Sequence, residues 1–219
     1  ELRTPLTLIS SPVTEVLENE PLSPSAREHL TLVHQNTERM LRLMNQILDF
    51  RKIQNQKMKL LIEETDLIPL LQKVMSSFKS IAEEKNINYQ LTSTIQSVYS
   101  WVDRDKFEKI FFNLLSNAFK FTPENGKITV RLSSLTKEDT RWIRFTVANT
   151  GSMISAEHIR SIFDRFYKID MHHAGSGIGL ALVKAFVELH KGTISVESDE
   201  KQGTVFTCLL YTSPSPRDT

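Results

Sequence analysis

Asn113, Asn117 and Lys120 recur at spacings of four and three, so on a helix they would share one stripe. Beside it run Phe107, Phe111, Leu114, Ala118 and Phe121, which read as the buried face of the same helix. Asparagine competes for backbone hydrogen bonds and is a poor interior helix residue, so two of them one turn apart need a reason. One reason is chemical: an amide oxygen is a hard ligand for Mg²⁺, and an ammonium can meet a phosphate. The other is a polar border of the kind any half-buried helix carries. The stripe by itself does not separate the two.

Three later stretches bear on that choice. V-A-N-T-G at 147–151 reads as a strand ending in a turn, with Asn149 and Gly151 at its tip. G-S-G-I-G-L at 175–180 runs straight into an apolar-periodic helix, A-L-V-K-A-F-V-E-L-H. Glycines as close as Gly175, Gly177 and Gly179 at a helix N-terminus let backbone N–H groups approach a phosphate while the helix dipole favours its charge. No strand immediately precedes this trio, which removes the context of a dinucleotide-binding fingerprint, and no G-x-x-x-x-G-K-[ST] is present. G-T-V-F at 203–206 starts a terminal strand.

The elements that must hold these residues follow from period and punctuation. At 219 residues the chain has room for one or two domains with a sizeable core. Its formal charge of +1 points to neither nucleic acid nor an anionic membrane as partner. A single cysteine excludes an intramolecular disulfide and fits a reducing compartment. No apolar run approaches a membrane span.

Residues 1–58 read as a helical hairpin. Leu2, Leu6, Ile9, Val13 and Val16 step by four and three, P-L-S-P-S at 21–25 breaks the chain, and Ser23 or Ser25 caps a second helix. Leu30, Val33, Thr37, Met40, Met44 and Ile47 continue a heptad-like seam that Leu17, Leu41 and Leu48 widen. Two helices cannot cover so wide a stripe, so two hairpins are expected to pair into a four-helix bundle. Pro5 lies in the first helix and is expected to kink it.

Residues 59–210 read as an α/β layer: a strand at 59–64, a helix at 67–85, strands at 88–93 and 97–102, then the asparagine helix. A hairpin of 127–135 with 141–149, a short helix and loop over 152–174, a helix at 177–191, and strands at 193–198 and 203–210 complete it. Strands in hairpins with helices grouped between them predict an α/β sandwich with helices on one face. Residues 211–219, Y-T-S-P-S-P-R-D-T, have no periodicity and read as a tail or a non-native read-through segment.

N-L-L-S-N-A-F-K-F-T resembles the N-box of sensor histidine kinases, N-T-G-S-M-I a variant of their first glycine box, F-D-R-F their F-box, and G-S-G-I-G-L their second glycine box before a G-T-x-F strand. E-L-R-T-P-L-T-L-I resembles the segment that follows the phosphorylated histidine of their H-box. The resemblance spans nearly the whole chain with its motifs in the family's order, and in style is closest to hybrid two-component sensors of Bacteroidetes. It implies an α+β fold: a dimerisation and phosphotransfer hairpin over 1–58, then an ATP-binding sandwich over 59–210 of the histidine kinase, gyrase and heat-shock chaperone type.

For the site, the resemblance implies that Asn117 supplies an oxygen to Mg²⁺, Lys120 a phosphate contact and Asn113 a positioning amide. In related ATPases a glutamate stands where Asn113 is, so phosphate transfer is favoured over rapid hydrolysis. Asn149 would accept from the adenine amino group; the family has aspartate there and a second glycine where this chain has Met153. An asparagine carbonyl still accepts that bond, without charge assistance. Gly151, Leu180 and Thr204 would line the nucleotide, and Phe166, Arg165 and Lys168 would belong to a mobile lid, although core packing explains the phenylalanines equally well. His172 and His173 read as solvated lid residues, and His29 and His34 lie outside the H-box context.

By the same resemblance Glu1 is a general base toward the acceptor histidine and Thr4 orients water during dephosphorylation of the partner. That histidine would immediately precede Glu1, outside this sequence, so these residues alone are expected to bind ATP·Mg²⁺ and not to label themselves. The expected whole is the core of a sensor histidine kinase, homodimeric through 1–58. It would serve a response-regulator receiver domain and form the cytoplasmic portion of a membrane-anchored bacterial sensor, itself touching neither nucleic acid nor membrane. Two alternatives are a conformational-clamp ATPase of the same nucleotide fold and a degenerate kinase acting as a dimeric scaffold.

Overall fold

A computed structural model describes residues 3–93, 97–137, 140–151, 153–169 and 176–211, with 136, 137, 140 and 141 described by backbone alone. The chain divides into two compact units, Glu1–Met58 and Lys59–Thr219.

The first unit is two antiparallel helices, α1 (Arg3–Asn19) and α2 (Pro24–Gln54). Ser23 is the cap of α2: its Oγ accepts from the Ala26 N–H at 3.2 Å, and Pro24 follows where a missing N–H loses nothing. Pro5, expected to kink α1, sits in its first turn, where the donor it lacks would be unpaired anyway; Pro12 is the proline inside the helix. The hairpin closes on polar contacts. Ser10 and Thr37 are its buried residues, Ser10 donates to Glu38 at 2.9 Å, and Thr14 meets His34 at 3.3 Å. Much of the expected seam, including Leu6, Val13, Leu30, Leu41 and Met44, is half-buried, while its Ile9, Val33, Met40, Ile47 and Leu48 are exposed together with Leu8 and Leu32, which the seam did not include.

In the second unit, β1 (Ile62–Asp66) leads into α3 (Leu67–Ser76), and α4 (Lys79–Glu84), β2 (Asn88–Ser93) and β3 (Tyr99–Asp103) follow. Then come α5 (Arg104–Phe121), β4 (Lys127–Lys137), β5 (Thr140–Asn149), α6 (Ala156–Ile159), α7 (Gly179–Leu189), β6 (Thr193–Asp199) and β7 (Gly203–Tyr211). The single helix expected over 67–85 is two. Ser76 Oγ donates to the Lys73 carbonyl at 2.6 Å, the local competition that ends a helix, and α4 restarts after Phe78.

The strands form two sheets, β1–β3 and β2–β4–β5–β7–β6. Hairpin pairing holds for β4 with β5 and for β6 with β7. It fails for β2 and β3, which lie next to each other in the chain but go to different sheets. β3 pairs antiparallel with β1, and β2 runs parallel to β4. A parallel pair needs a long crossover, and α5 supplies it.

Helices α3, α5 and α7 cover one face of the larger sheet, with α5 against both of the others. Ile128, Val130 and Leu132 of β4 and Ile143, Phe145 and Val147 of β5 face them and are buried. The Phe107 and Phe111 rings each lie 5.4 Å from that of Phe145, fixing α5 on the centre of the sheet. Asp103 starts α5: one carboxylate oxygen accepts from Lys106 N–H at 3.0 Å and the other from Leu61 N–H at 2.9 Å.

Candidate functional site

The buried face expected of α5 holds for Phe107, Phe111, Leu114 and Ala118 and fails for Phe121, which is 36% exposed. Phe121 is the last residue of the helix, at the edge of the covered layer, and its ring lies under Lys120 Nζ at 4.7 Å. Phe119 is buried instead, stacked on Phe78 at 5.1 Å and meeting Tyr89 edge-on at 4.9 Å. The polar stripe stands at the border of this face. Asn113 and Asn117 are half-buried and Lys120 is exposed. Asn113 Nδ2 donates to the Lys109 carbonyl at 2.7 Å, which orients its amide along the helix.

Onto that stripe comes the N-terminus of α7. A Cβ built on Gly179, the first residue of α7, would stand 2.9 Å from Asn113 Oδ1. Only hydrogen lets the helix end approach the amide this closely. Gly177 lies just ahead of α7 at φ +68°, its carbonyl accepting from Phe166 N–H at 2.9 Å. A Cβ there would lie 2.7 Å from the Phe166 backbone. Phe166 is itself left-handed, at φ +61°, and 68% exposed. Leu180 is half-buried in the first turn of α7. Gly175, His172 and His173 lie outside the described residues. Arg165 is exposed and Lys168 half-buried in the same segment, whose base is joined by His158 Nδ1 and the Tyr167 hydroxyl at 2.7 Å.

The glycine turn after β5 closes on the other end of α5. At φ +125°, Gly151 sits where a Cβ would lie 2.5 Å from the Phe121 carbonyl. Asn149 is directly opposite Thr204 in the β5–β7 register, and both are buried, at 4% and 3% exposure. Asn149 Nδ2 donates to the Thr150 carbonyl at 3.2 Å. Gly203, at φ +77°, lets β7 start against the Asn149 carbonyl, where any side chain would collide with the backbone. Asn113, Gly179, Gly177 and Phe166 thus form one run of contacts, and Asn149, Thr204 and Gly151 form another, joined through α5. In the first unit Thr4 is exposed in the first turn of α1, and Glu1 lies outside the described residues.

Two features of this unit carry no strong sequence signal. His190, at the end of α7, accepts from Asp103 N–H through Nε2 at 3.1 Å and meets the Phe186 carbonyl through Nδ1 at 2.7 Å. Burial, only partly offset by that carbonyl and by the Asp103 charge, holds its pKa below the usual histidine range. Ser198 on β6 bonds both Ile154 N–H and the Thr204 hydroxyl. Cys208 is wholly buried, which pushes its thiol pKa up and keeps it from thiolate chemistry. Among the described residues no three His, Cys, Asp or Glu side chains converge on a common point, and no helix is long and apolar enough to cross a membrane.

Residues 102–214 match the family described as histidine kinase-, DNA gyrase B- and HSP90-like ATPase, and residues 1–56 match the His kinase A (phospho-acceptor) domain. Histidine kinase P4 of Formosa agariphila is 36% identical over 94% of this chain and 15% of its own length. Sensor histidine kinase TmoS of Ectopseudomonas mendocina is 37% identical over 94% of this chain and 21% of its own length. The chain therefore spans about a fifth or less of these curated relatives. Among solved structures, full-length ShkA in complex with AMPPNP superimposes with a TM-score of 0.81 at 26% identity, over 98% of this chain and 44% of that one. The catalytic domain of histidine kinase ThkA does so with a TM-score of 0.63 at 25% identity, over 71% and 97%.

Proposed function

The chain belongs to the histidine kinases, carrying their phosphoacceptor and ATPase domains in order, and from that premise we propose that its second unit binds ATP·Mg²⁺ between α5 and α7 for transfer of the γ-phosphoryl to a histidine. The histidine in question is the H-box residue placed one position before Glu1, and a response-regulator aspartate receives the phosphoryl next. The observation that carries this reading is the approach of Gly179 to Asn113 Oδ1 at a virtual Cβ distance of 2.9 Å. It brings the N-terminus of a helix, where N–H groups have no partner within the helix itself, beside an amide stripe, the two kinds of group that a chelated polyphosphate requires.

The donor set fits the metal in the same terms. Mg²⁺ takes one or two protein oxygens and completes its shell with phosphates and water, so one amide, Asn117, suffices where no carboxylate cage exists. Bound there, Mg²⁺ would neutralise charge on the phosphates. Lys120 meets a phosphate as a point charge, Asn113 positions, and the first turn of α7, with Gly177, Gly179 and Leu180, offers its backbone donors. Asn113 stands where a hydrolase would need a base, and an amide does not take a proton. Positioning and charge neutralisation then supply the catalysis. At the base end, Asn149 meets the adenine amino group through Oδ1, its Nδ2 being engaged by Thr150, with Gly151 and Thr204 beside it. Arg165, Phe166 and Lys168 cover the nucleotide.

In the first unit, Glu1 draws the proton from the acceptor imidazole and Thr4 orients water in dephosphorylation. The exposed apolar residues of the hairpin, Leu8, Ile9, Leu32, Val33, Met40, Ile47 and Leu48, support pairing of two copies through residues 1–58, because so many are not kept in water. The whole is the cytoplasmic part of an anchored sensor.

The test is ATP binding by calorimetry with and without Mg²⁺. The native chain binds more tightly with Mg²⁺, and Asn117→Ala loses that gain while keeping the fold. Equal binding by the two proteins would remove Asn117 from the metal. No binding by either would favour the scaffold alternative, for which the Asn149 and Met153 departures speak.

A further inference from the structure

Phe166 is held in a conformation that its own side chain opposes. It is the third residue of the turn Asp164–Tyr167, at φ +61°, where glycine or asparagine ordinarily stands. Its ring is 68% exposed, so burial returns little for the strain. A strained residue of this kind persists only when its neighbours over-determine it, and such residues gather where backbone geometry serves a site.

Two tethers hold it. On the N-terminal side the Phe166 N–H donates to the Gly177 carbonyl at 2.9 Å, and the two backbones are so close that a Cβ on Gly177 would stand 2.7 Å from Phe166. On the C-terminal side the turn itself closes loosely, the Tyr167 N–H meeting the Asp164 carbonyl at 3.4 Å. The tighter tether there is a side chain: the Tyr167 hydroxyl and His158 Nδ1 share a hydrogen bond of 2.7 Å, which ties the turn to α6. One hydrogen bond and the strain of one left-handed residue are of similar size, so losing the first releases the second. Beyond the turn lies the phosphate end of the proposed site. Gly177 leads through Ile178 into α7, whose first residue, Gly179, stands against Asn113 Oδ1. Every link from His158 to Asn113 is thus a hydrogen bond, a close contact or a covalent neighbour.

We propose that Tyr167 and His158 are positioning residues for the phosphates of the nucleotide: their hydrogen bond holds Phe166 in its left-handed turn, and Phe166 holds Gly177 and the N-terminus of α7 against Asn113. Both act only through Phe166, and the inference rests on the proposed placement of the phosphates at the α5–α7 junction.

The experiment titrates ATP·Mg²⁺ into the whole chain and its variants Tyr167→Phe, His158→Ala, His158→Asn and Tyr167→Phe with His158→Ala. Thermal unfolding and an amide NMR spectrum without nucleotide are recorded for each. Tyr167→Phe keeps the ring and removes the hydroxyl, and weakens ATP binding about five- to tenfold, the scale of one lost hydrogen bond. His158→Ala matches it, and His158→Asn, whose amide oxygen takes the place of Nδ1, recovers most of the native affinity. The double variant loses no more than about twofold beyond either single one, as partners in one bond do. In Tyr167→Phe the Gly177 and Gly179 amide resonances move, while those of Gly151 and Gly203, at the base end of the site, stay. Native ATP affinity in Tyr167→Phe would overturn the proposal. So would weakened binding with the Gly177 and Gly179 resonances unmoved, or a shift spread equally over all four glycines, which marks a merely structural tyrosine. A native chain that binds no ATP would instead overturn the placement of the phosphates, and this proposal with it.

Discussion

Replacing Gly179 by alanine tests the α5–α7 junction with the least disturbance elsewhere. The added Cβ would stand 2.9 Å from Asn113 Oδ1, inside the roughly 3.5 Å at which nonbonded atoms rest, and in ordinary contact with its Cγ at 3.7 Å. The obstacle is the end of a side chain, so the amide yields and the backbone stays. Moving it off its rotamer costs about 0.5–1.5 kcal/mol. Losing its 2.7 Å bond to the Lys109 carbonyl costs a similar 0.5–1.5 kcal/mol or so. Against this, alanine in place of glycine favours the helix by roughly 0.5–1 kcal/mol. Stability should therefore fall by no more than about 2.5 kcal/mol, a shift of several degrees at most in Tm for a protein of this size. ATP·Mg²⁺ affinity should fall about tenfold, because the displaced amide is the one proposed to position the phosphates. Gly177→Ala is the contrast: at φ +68°, with Phe166 backbone atoms 2.7 Å from its Cβ, no side chain can swing aside. It should lose stability as well as binding, by about 1–2 kcal/mol from the left-handed backbone alone. Calorimetric titration with paired thermal melts reads both variants. ATP binding by Gly179→Ala at native affinity would refute the placement of the phosphates at this junction.

Asn149→Asp should tighten ATP binding several-fold by giving the adenine contact charge assistance, read by the same titration. His190→Ala leaves the buried Asp103 N–H without its acceptor and should destabilise the second unit by about 1–3 kcal/mol in urea. Because burial depresses the folded pKa of His190, the unfolded chain takes up the proton first. The stability His190 contributes is whole above its ordinary value near 6.5, falls with pH through the depressed value, and this slope should flatten in His190→Ala. Leu32→Glu with Met40→Glu, at two exposed apolar positions of α2, should convert a dimer to monomers in light scattering at tens of micromolar or so. A chain extended upstream to carry a histidine before Glu1 should acquire acid-labile, base-stable label from γ-phosphate-labelled ATP, slowed by Glu1→Gln at unchanged nucleotide affinity.

What the sequence determined by itself was local. The three-and-four period of α5 announced a helix with an amide stripe, P-L-S-P-S announced the hairpin turn, and G-T-V-F announced a terminal strand, because each depends on residues close in the chain. The motifs also carried the family, since their order survives without any knowledge of packing. Tertiary structure decided what depends on distant partners. The periodicity of Phe121 equals that of Phe107, yet the helix ends there and exposes it. β2 and β3 are sequence neighbours with strand patterns alike, but one is claimed by β4 and the other by β1, a choice made by the crossover of α5 and by no residue in either strand. Ser198 is one more inward position of an alternating strand until β7 and the Ile154 segment bring Thr204 and an N–H to its hydroxyl. Side-chain period is written along the chain, whereas the partners of a hydroxyl or a strand edge are set by which segments the core brings together.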